Sequence, residues 1–147
     1  MDKRVVITGL GAITPIGKNV EENWNSIKEK KCGIDEITLF NTENFKTKLA
    51  AEVKEYNPLE HFEAKQAKRL DRYSQFAIIA AREAVKSSEI SKENTDFNRV
   101  GIFVSSGIGG LTTIQEQCRI DNEKGNKRVS PMFIPMSIAN MAAGNIA

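Results

Sequence analysis

The sequence predicts an α/β protein. Two short apolar runs, 4–8 and 99–105, are rich in β-branched residues and are followed by glycine-rich turns. Such runs are typical of strands that are buried on both faces of a parallel sheet. Segments with the apolar periodicity of helices follow both runs, so strands and helices alternate along the chain.

Composition narrows the possible classes of protein. The chain has 147 residues, of which 40% are hydrophobic and 27% charged, so it is neither disordered nor fibrous. A net charge of +2 gives no general case for nucleic-acid binding. Two cysteines exclude a disulfide framework, and together with the single histidine, His61, they leave few ways to build a metal site. We therefore expect no metal and no cofactor.

No targeting or membrane segment is recognisable in the sequence. The apolar stretches all fall short of the ~20 residues that span a bilayer. The start of the chain is too short and too strand-like for a signal peptide. We expect a cytoplasmic protein without membrane insertion.

The first helix is predicted after Asn19, which can cap it, with Glu22 at the capping-box position. Its apolar face carries Val20, Trp24 and Ile27, and Gly33 is a plausible stop. A period-2 stretch over 47–53 predicts an edge strand or one arm of a hairpin.

The second part of the chain is mainly helical in pattern. Residues 60–88 read as helix, with a second half that is apolar around most of its circumference and is therefore expected to be buried. Another helix carries Leu111, Ile114 and Cys118 on one face and ends near Gly125. Pro131 and Pro135 bracket a segment predicted to be extended, and residues from 137 onward return to a helical pattern.

The pattern has few strands for its number of helices, and it reaches Ala147 without a stop signal. The expectation is that residues 1–147 form the N-terminal part of a larger α/β protein.

Two glycine-rich turns invite a ligand-binding interpretation. Gly9–Thr14 follows a predicted strand as a dinucleotide-binding turn does, but Thr14 and Pro15 do not fit the expected glycine and helix entry, which favours a tight structural turn. The second turn, 106–110, lacks the lysine of a phosphate-binding loop. Its glycines fit either close packing or the approach of a ligand.

Reactive and charged residues are also ambiguous taken singly. Neither Cys32, at a helix C-terminus, nor Cys118, on an apolar helix face, has the surroundings that favour a thiolate, and His61 is expected on the surface. Two basic clusters fit either solvated faces or docking of an acidic partner. They comprise Lys65, Lys68, Arg69 and Arg72, then Lys124, Lys127 and Arg128.

Four segments taken together resemble the elongating β-ketoacyl-acyl-carrier-protein synthases, in particular those of type II. These segments are VVITGLGAITPIG at 5–17, RYSQFA at 72–77, GIFVSSGIGGL at 101–111 and VSPMFIPMSIANMAAG at 129–144. Each motif alone is weak. The set, in order and at similar spacing across the chain, is specific.

The resemblance implies a thiolase-like fold, in which two α/β halves stack as five layers, and a homodimer. It also implies a decarboxylative Claisen condensation between an acyl-enzyme and malonyl-loaded carrier protein in fatty acid elongation. In the family the nucleophilic Cys, two His and a Lys all lie beyond the segment matched here. No catalytic residue is therefore expected within 1–147, and the chain alone is expected to be inactive.

Two further roles carry over from the resemblance onto matched positions. Ile108 and Phe133 are expected to shape the acyl pocket, with Phe133 reaching across the dimer. Five basic residues are expected to dock acyl- and malonyl-loaded carrier protein: Lys65, Lys68, Arg69, Lys127 and Arg128. Two alternatives remain at this stage, a non-catalytic subunit of the chain-length-factor type and a small nucleotide-binding α/β domain.

Overall fold

The computed structural model describes residues 4–147. The chain divides into two compact units, which are described separately. The first runs to Tyr56 and includes Arg82–Glu89, and the second comprises Asn57–Ala81 and Ile90–Ala147. Between residues 4 and 147, none of the helices has both the length and the apolar character needed to cross a bilayer.

Helix α1 of the first unit, Val20–Lys28, begins at the predicted cap. The side chain of Asn19 accepts from the Glu22 N–H over 2.8 Å. In a standard capping box the Glu22 carboxylate would accept from the N–H of the cap residue itself. Here it accepts from the N–H of Lys18, one residue earlier, over 2.8 Å. The buried face of α1 is polar and carries Asn23 and Ser26, whereas Trp24 and Ile27 are exposed.

The predicted stop of α1 at Gly33 is wrong. The N–H of Lys30 donates to Ile27 over 3.0 Å, and the N–H of Lys31 donates to Ser26 over 2.9 Å. Lys30 has a φ of 56°, so these bonds form a Schellman-type end with lysine in the position where glycine is usual. These two hydrogen bonds to carbonyls of the last helical turn offset the cost of placing a side chain in the left-handed region.

A hairpin follows α1 in the first unit. Strands β1, Ile34–Glu36, and β2, Leu49–Ala51, pair antiparallel with Asp35 opposite Ala50. This confirms the hairpin arm predicted over 47–53. Just after β2, the buried Glu52 accepts from the Thr38 N–H, the Thr38 hydroxyl and the Leu39 N–H, which fixes the loop that leaves β1.

The second unit has helices for most of its regular structure. These are α2 at Ala64–Ala67, α3 at Arg72–Ser88, α4 at Leu111–Lys124, α5 at Phe133–Ser137 and α6 at Met141–Ile146, with short 3-10 turns at Pro58–Glu60, Phe97–Arg99 and Asn126–Arg128. Helix α3 contributes its last residues, from Arg82, to the first unit. Buried apolar side chains of the second unit include Phe62, Leu70, Ile78, Ile79 and Ala142.

The predicted helical stretch 60–88 is interrupted between α2 and α3. The Gln75 side chain donates to the carbonyls of Ala67 and Leu70, each over 3.0 Å, and so satisfies backbone groups at the end of α2. The segment between Pro131 and Pro135 is also not extended, because Pro135 is the third residue of α5. Proline is tolerated there because the first N–H groups of a helix have no internal partner.

Neither buried strand of the prediction is formed in residues 4–147. Residues 4–8 and 100–105 have no regular secondary structure, and Val5 and Phe103 are 95% and 97% exposed. The strands that pair in this part of the chain are β1 and β2. A strand buried on both faces needs neighbours that take its N–H and C=O groups, and the two apolar runs have none here.

Candidate functional site

Ile108 lies in the glycine-rich loop 106–110, between the second apolar run and α4. The Ser106 hydroxyl accepts from the Gly109 N–H over 2.9 Å and closes the loop. A Cβ added to Gly107 would meet nothing within 4 Å, and Ile108 is 62% exposed. The outer part of the loop is therefore unobstructed by residues 4–147.

The inner end of the same loop packs against α5. The N–H of Gly110 donates to the carbonyl of Ser137 over 2.8 Å. Gly109 has a φ of +84°, and a Cβ there would collide with the same carbonyl oxygen. Glycine is required at this position both for the backbone angle and for the close approach. Of the two alternatives for this loop, close packing applies to its inner end.

Phe133 is the first residue of α5 and is half-buried. It lies four residues before Ser137, or about 6 Å along a helix axis. Its N–H donates to Ser130 over 2.9 Å, and the Ser130 N–H donates to the Gln117 side chain of α4 over 2.7 Å. The structure thus joins the elements that carry the two predicted pocket residues.

The five predicted docking residues are exposed and fall on two elements of the second unit. Lys65 lies in α2, with Lys68 and Arg69 directly after it, and Lys127 and Arg128 lie in the turn Asn126–Arg128. Within residues 4–147 the structure shows no ion pair to any of them. Their charges are thus available to a partner.

A groove of about 440 Å³ joins the first basic group to the segment before α5. Its lining comprises Glu63, Lys65, Gln66, Arg69, Leu70, Met132 and Asn145. The cationic side chains of Lys65 and Arg69 therefore line a partly apolar groove, whose wall also includes Met132, the residue before Phe133. Lys68, Lys127 and Arg128 do not line this groove.

Asp71 is a residue of this region whose role the sequence prediction missed. The side chain is 7% exposed, and its Oδ1 accepts from the Tyr73 N–H over 3.1 Å at the start of α3. Its Oδ2 accepts from the Thr113 hydroxyl over 2.5 Å and from the Thr113 N–H over 3.3 Å, in the first turn of α4. An aspartate directly before a helical run is a signal for a cap, but only the fold shows that it caps two helices.

Neither the two cysteines nor the histidine line the groove or bond to Asp71. Cys32 and Cys118 are exposed, and Cys118 is in the middle of α4 rather than at a helix N-terminus. His61 is half-buried at the end of the turn Pro58–Glu60. Among the described residues, no group of three or more His, Cys, Asp or Glu side chains is arranged to hold a metal ion.

The turn at Gly9 belongs to the first unit and is a packing feature. A Cβ at Gly9 would collide with the carbonyl oxygen of Ala84, and the Leu10 N–H donates to the Ser87 hydroxyl over 3.0 Å. Helix α1 starts only at Val20, well after Gly11. A dinucleotide-binding turn leads directly into its helix, so this geometry favours the tight structural turn.

Solved structures of similar fold define the class of protein. One, the ishigamide ketosynthase/chain length factor, superposes with a TM-score of 0.82 at 27% identity over 97% of this chain and 36% of that one. Another is a ketosynthase bound to the hexaketide in complex with its type II polyketide synthase acyl-carrier protein. It superposes with a TM-score of 0.78 at 23% identity over 99% of this chain and 38% of that one. The α/β, thiolase-like fold of the ketosynthases is thereby confirmed.

The family follows from the sequence comparisons. Residues 2–147 match the family described as beta-ketoacyl synthase, N-terminal domain. The chain is also 43% identical over 146 residues to the 3-oxoacyl-(acyl-carrier-protein) synthase 2 of Staphylococcus aureus strain N315. The chain belongs to the beta-ketoacyl synthase family. The match covers 99% of this chain but only 35% of the length of that relative.

Proposed function

We propose that residues 1–147 are the N-terminal part of an elongating 3-oxoacyl-(acyl-carrier-protein) synthase II. The structural observation that carries the proposal is the Gly110–Ser137 hydrogen bond, which joins the loop of Ile108 to the helix of Phe133. The 43% identity to a synthase 2 over nearly the whole chain supports it. The intact enzyme would be a five-layered cytoplasmic homodimer, with Phe133 reaching the partner's pocket.

The proposed reaction has two stages. A cysteine thiolate supplied from outside residues 1–147 attacks the thioester carbonyl of acyl-loaded carrier protein, and the carrier thiol leaves. Malonyl-loaded carrier protein then loses CO₂, with two histidines polarising its thioester and a lysine in support. The carbanion attacks the acyl-enzyme carbonyl, a carbon–carbon bond forms and the cysteine thiolate leaves.

Within this scheme the present chain contributes a pocket wall and a docking surface. An exposed Ile108 on a loop fixed only at its inner end suits a wall that meets acyl chains of different length. The uncompensated cations Lys65, Lys68, Arg69, Lys127 and Arg128 suit an acidic carrier protein. A related fold, solved as a ketosynthase with its acyl-carrier protein, supports this choice of partner.

A second candidate is a non-catalytic subunit of the chain-length-factor type, which would shape a partner's pocket without forming an acyl-enzyme. The specific observation in its favour is the TM-score of 0.82 to the ishigamide ketosynthase/chain length factor. The residue at the nucleophile position separates the two candidates. We favour the synthase because the relative with that name is 43% identical to this chain, whereas the ishigamide protein is 27% identical.

The test is a condensation assay on the intact gene product with acyl- and malonyl-loaded carrier protein. We expect formation of 3-oxoacyl carrier protein together with CO₂. Decarboxylation without carbon–carbon bond formation, or no reaction at all, would contradict the synthase proposal. The 147-residue chain assayed alone is expected to be inactive, and turnover by that chain which Cys118→Ala abolishes would make Cys118 the nucleophile.

A further inference from the structure

We propose that Asp71, acting through Thr113, is a positioning residue that fixes the inner end of loop 106–110 and thereby sets the acyl-length range that Ile108 allows. This inference rests on the proposed synthase function. It concerns a buried carboxylate that contacts neither the groove nor the outer loop. Asp71 is therefore assigned a role in specificity through Thr113 and Gly110, and not a catalytic role.

The first step of the argument is the double cap. Asp71 accepts from the N–H of Tyr73 in α3 and from both donors of Thr113 in α4. Helix α4 starts from Gly110, which has no side chain that could accept from the N–H groups of the first turn. Asp71 supplies that acceptor from another element, and its negative charge suits the positive end of the helix dipole.

The second step is the position of Gly110. A Cβ at Gly110 would lie 2.8 Å from Oδ2 of Asp71 and 2.5 Å from the carbonyl oxygen of Met136. The backbone of Gly110 is thus enclosed between the buried carboxylate and α5, to which its N–H is also bonded. The Asp71 carboxylate and the backbone of α5 together fix the position at which the loop joins α4.

The third step is the contrast along the loop. Gly110 is buried and enclosed, whereas Gly107 faces open space and Ile108 is mostly exposed. Gly109, with its φ of +84°, lies between the fixed and the free part. We therefore expect Ile108 to move by rotation of the backbone at Gly109, while Gly110 stays fixed by Asp71 and Thr113. If that anchor loosens, Ile108 gains freedom to move aside for a longer acyl chain.

The test compares two threonines that are neighbours in α4. Thr113→Val removes the hydroxyl that donates to Asp71 with little change in shape, and Thr112→Val makes the same change at an exposed position. In the intact synthase, kcat/KM is measured for a series of primers from short to long. For Thr113→Val we expect the ratio of the long-primer to the short-primer value to rise about fivefold, or about 1 kcal/mol.

The matched variants are expected to behave differently. Thr112→Val should keep the wild-type ratio, and Thr113→Ser, which retains the hydroxyl, should restore it. Asp71→Asn should shift the ratio in the same direction as Thr113→Val. The two changes combined should shift it by less than the sum of the single effects, because both act on one hydrogen bond.

Three results are informative beyond the expected one. An equal loss for all primers with a lower Tm would overturn the proposal, because a merely structural cap has that effect. An unchanged ratio in a folded Thr113→Val protein would overturn it as well. If the wild-type protein does not condense, the proposed function fails, and with it the specificity role. Faster amide hydrogen exchange at 109–113 in Thr113→Val than in Thr112→Val would then still establish the anchor.

Discussion

The N–H of Gly110 donates to the carbonyl oxygen of Ser137 over 2.8 Å. This bond joins two segments that are remote in sequence, the loop that carries Ile108 and the helix that begins with Phe133. Both side chains were predicted to shape an acyl pocket from a family resemblance alone. That their elements are in direct backbone contact gives the prediction a physical basis that can be tested at the glycines themselves.

The close approach at Gly110 predicts a strong dependence on residue size. Gly110→Ala places a methyl group 2.5 Å from the carbonyl oxygen of Met136, and the overpacking should cost about 1–3 kcal/mol of unfolding free energy. Gly107→Ala is the matched control, since nothing lies within 4 Å of its Cβ. Thermal unfolding of both variants of the intact protein checks this. Equal Tm values would contradict the packing described here.

Enlarging Ile108 should narrow the pocket for long substrates. Ile108→Phe in the intact enzyme is expected to lower kcat/KM for long acyl primers about tenfold or more, as an overpacking cost of about 1.4 kcal/mol would do. Very short primers and malonyl decarboxylation should be little affected. The measurement is kcat/KM across primer lengths beside the Tm. A loss shared by all primers in a destabilised protein would end the pocket assignment.

Reversing the charge of the second basic pair should weaken docking of the carrier protein. Lys127→Glu with Arg128→Glu is expected to raise KM for carrier-protein substrates severalfold and to leave activity on short pantetheine thioesters nearly unchanged. The effect should shrink as salt is added, since exposed charges are screened over about 8 Å at physiological ionic strength.

The control for this experiment is a second pair with the same change of charge. Lys46 and Lys48 are also exposed but are not among the predicted docking residues, so reversing both should leave KM for carrier-protein substrates unaltered. Equal losses on carrier-bound and short substrates for the Lys127 and Arg128 variant would mean that these residues support the fold or the chemistry instead.

The helices were predictable because their signals are local. Asn19 caps α1 as predicted, and α4 ends at Lys124 before Gly125. The family motifs likewise pointed to the loop of Ile108 and the segment of Phe133. What the sequence could not show was a cap whose partner is remote in sequence. The capping role of Asp71 could not be predicted, because its bond to Thr113 spans 42 positions.

The strands could not be predicted with the same success, because a strand depends on non-local pairing. The apolar runs at 4–8 and 100–105 have the composition of buried strands, yet no strand pairs with them in the described structure. Of the hairpin, the arm that contains β2 was predicted from its period-2 pattern, whereas its partner β1 was not.

Acid should destabilise the first unit through Glu52. Hydrogen bonds from the Thr38 hydroxyl and N–H hold the pKa of Glu52 below its ordinary value of 4.5, and they outweigh the opposing effect of desolvation. A lowered pKa contributes stability that is complete above pH 4.5 and is lost as pH falls through the lower, folded-state value. Glu52→Gln should therefore lower Tm near neutral pH, and the difference from wild type should shrink below pH 4.5.

The matched control for acid stability is Glu36→Gln, in β1. Glu36 is exposed, so its substitution should change Tm little at any pH. Thermal scans of the intact protein between neutral and acid pH provide the comparison. A Tm difference for Glu52→Gln that grows on acidification would reverse the expected sign and contradict the hydrogen-bonding account.

The most direct test of the proposed synthase is to locate the acyl group that the enzyme takes from its carrier protein. The intact gene product is incubated with acyl-loaded carrier protein alone, digested, and analysed by peptide mass spectrometry. The account predicts one thioester-linked acyl group per subunit, on a cysteine outside residues 1–147, with Cys32 and Cys118 unmodified. An acyl group on Cys32 or Cys118, or no acyl-enzyme under conditions where the protein is folded, would contradict it.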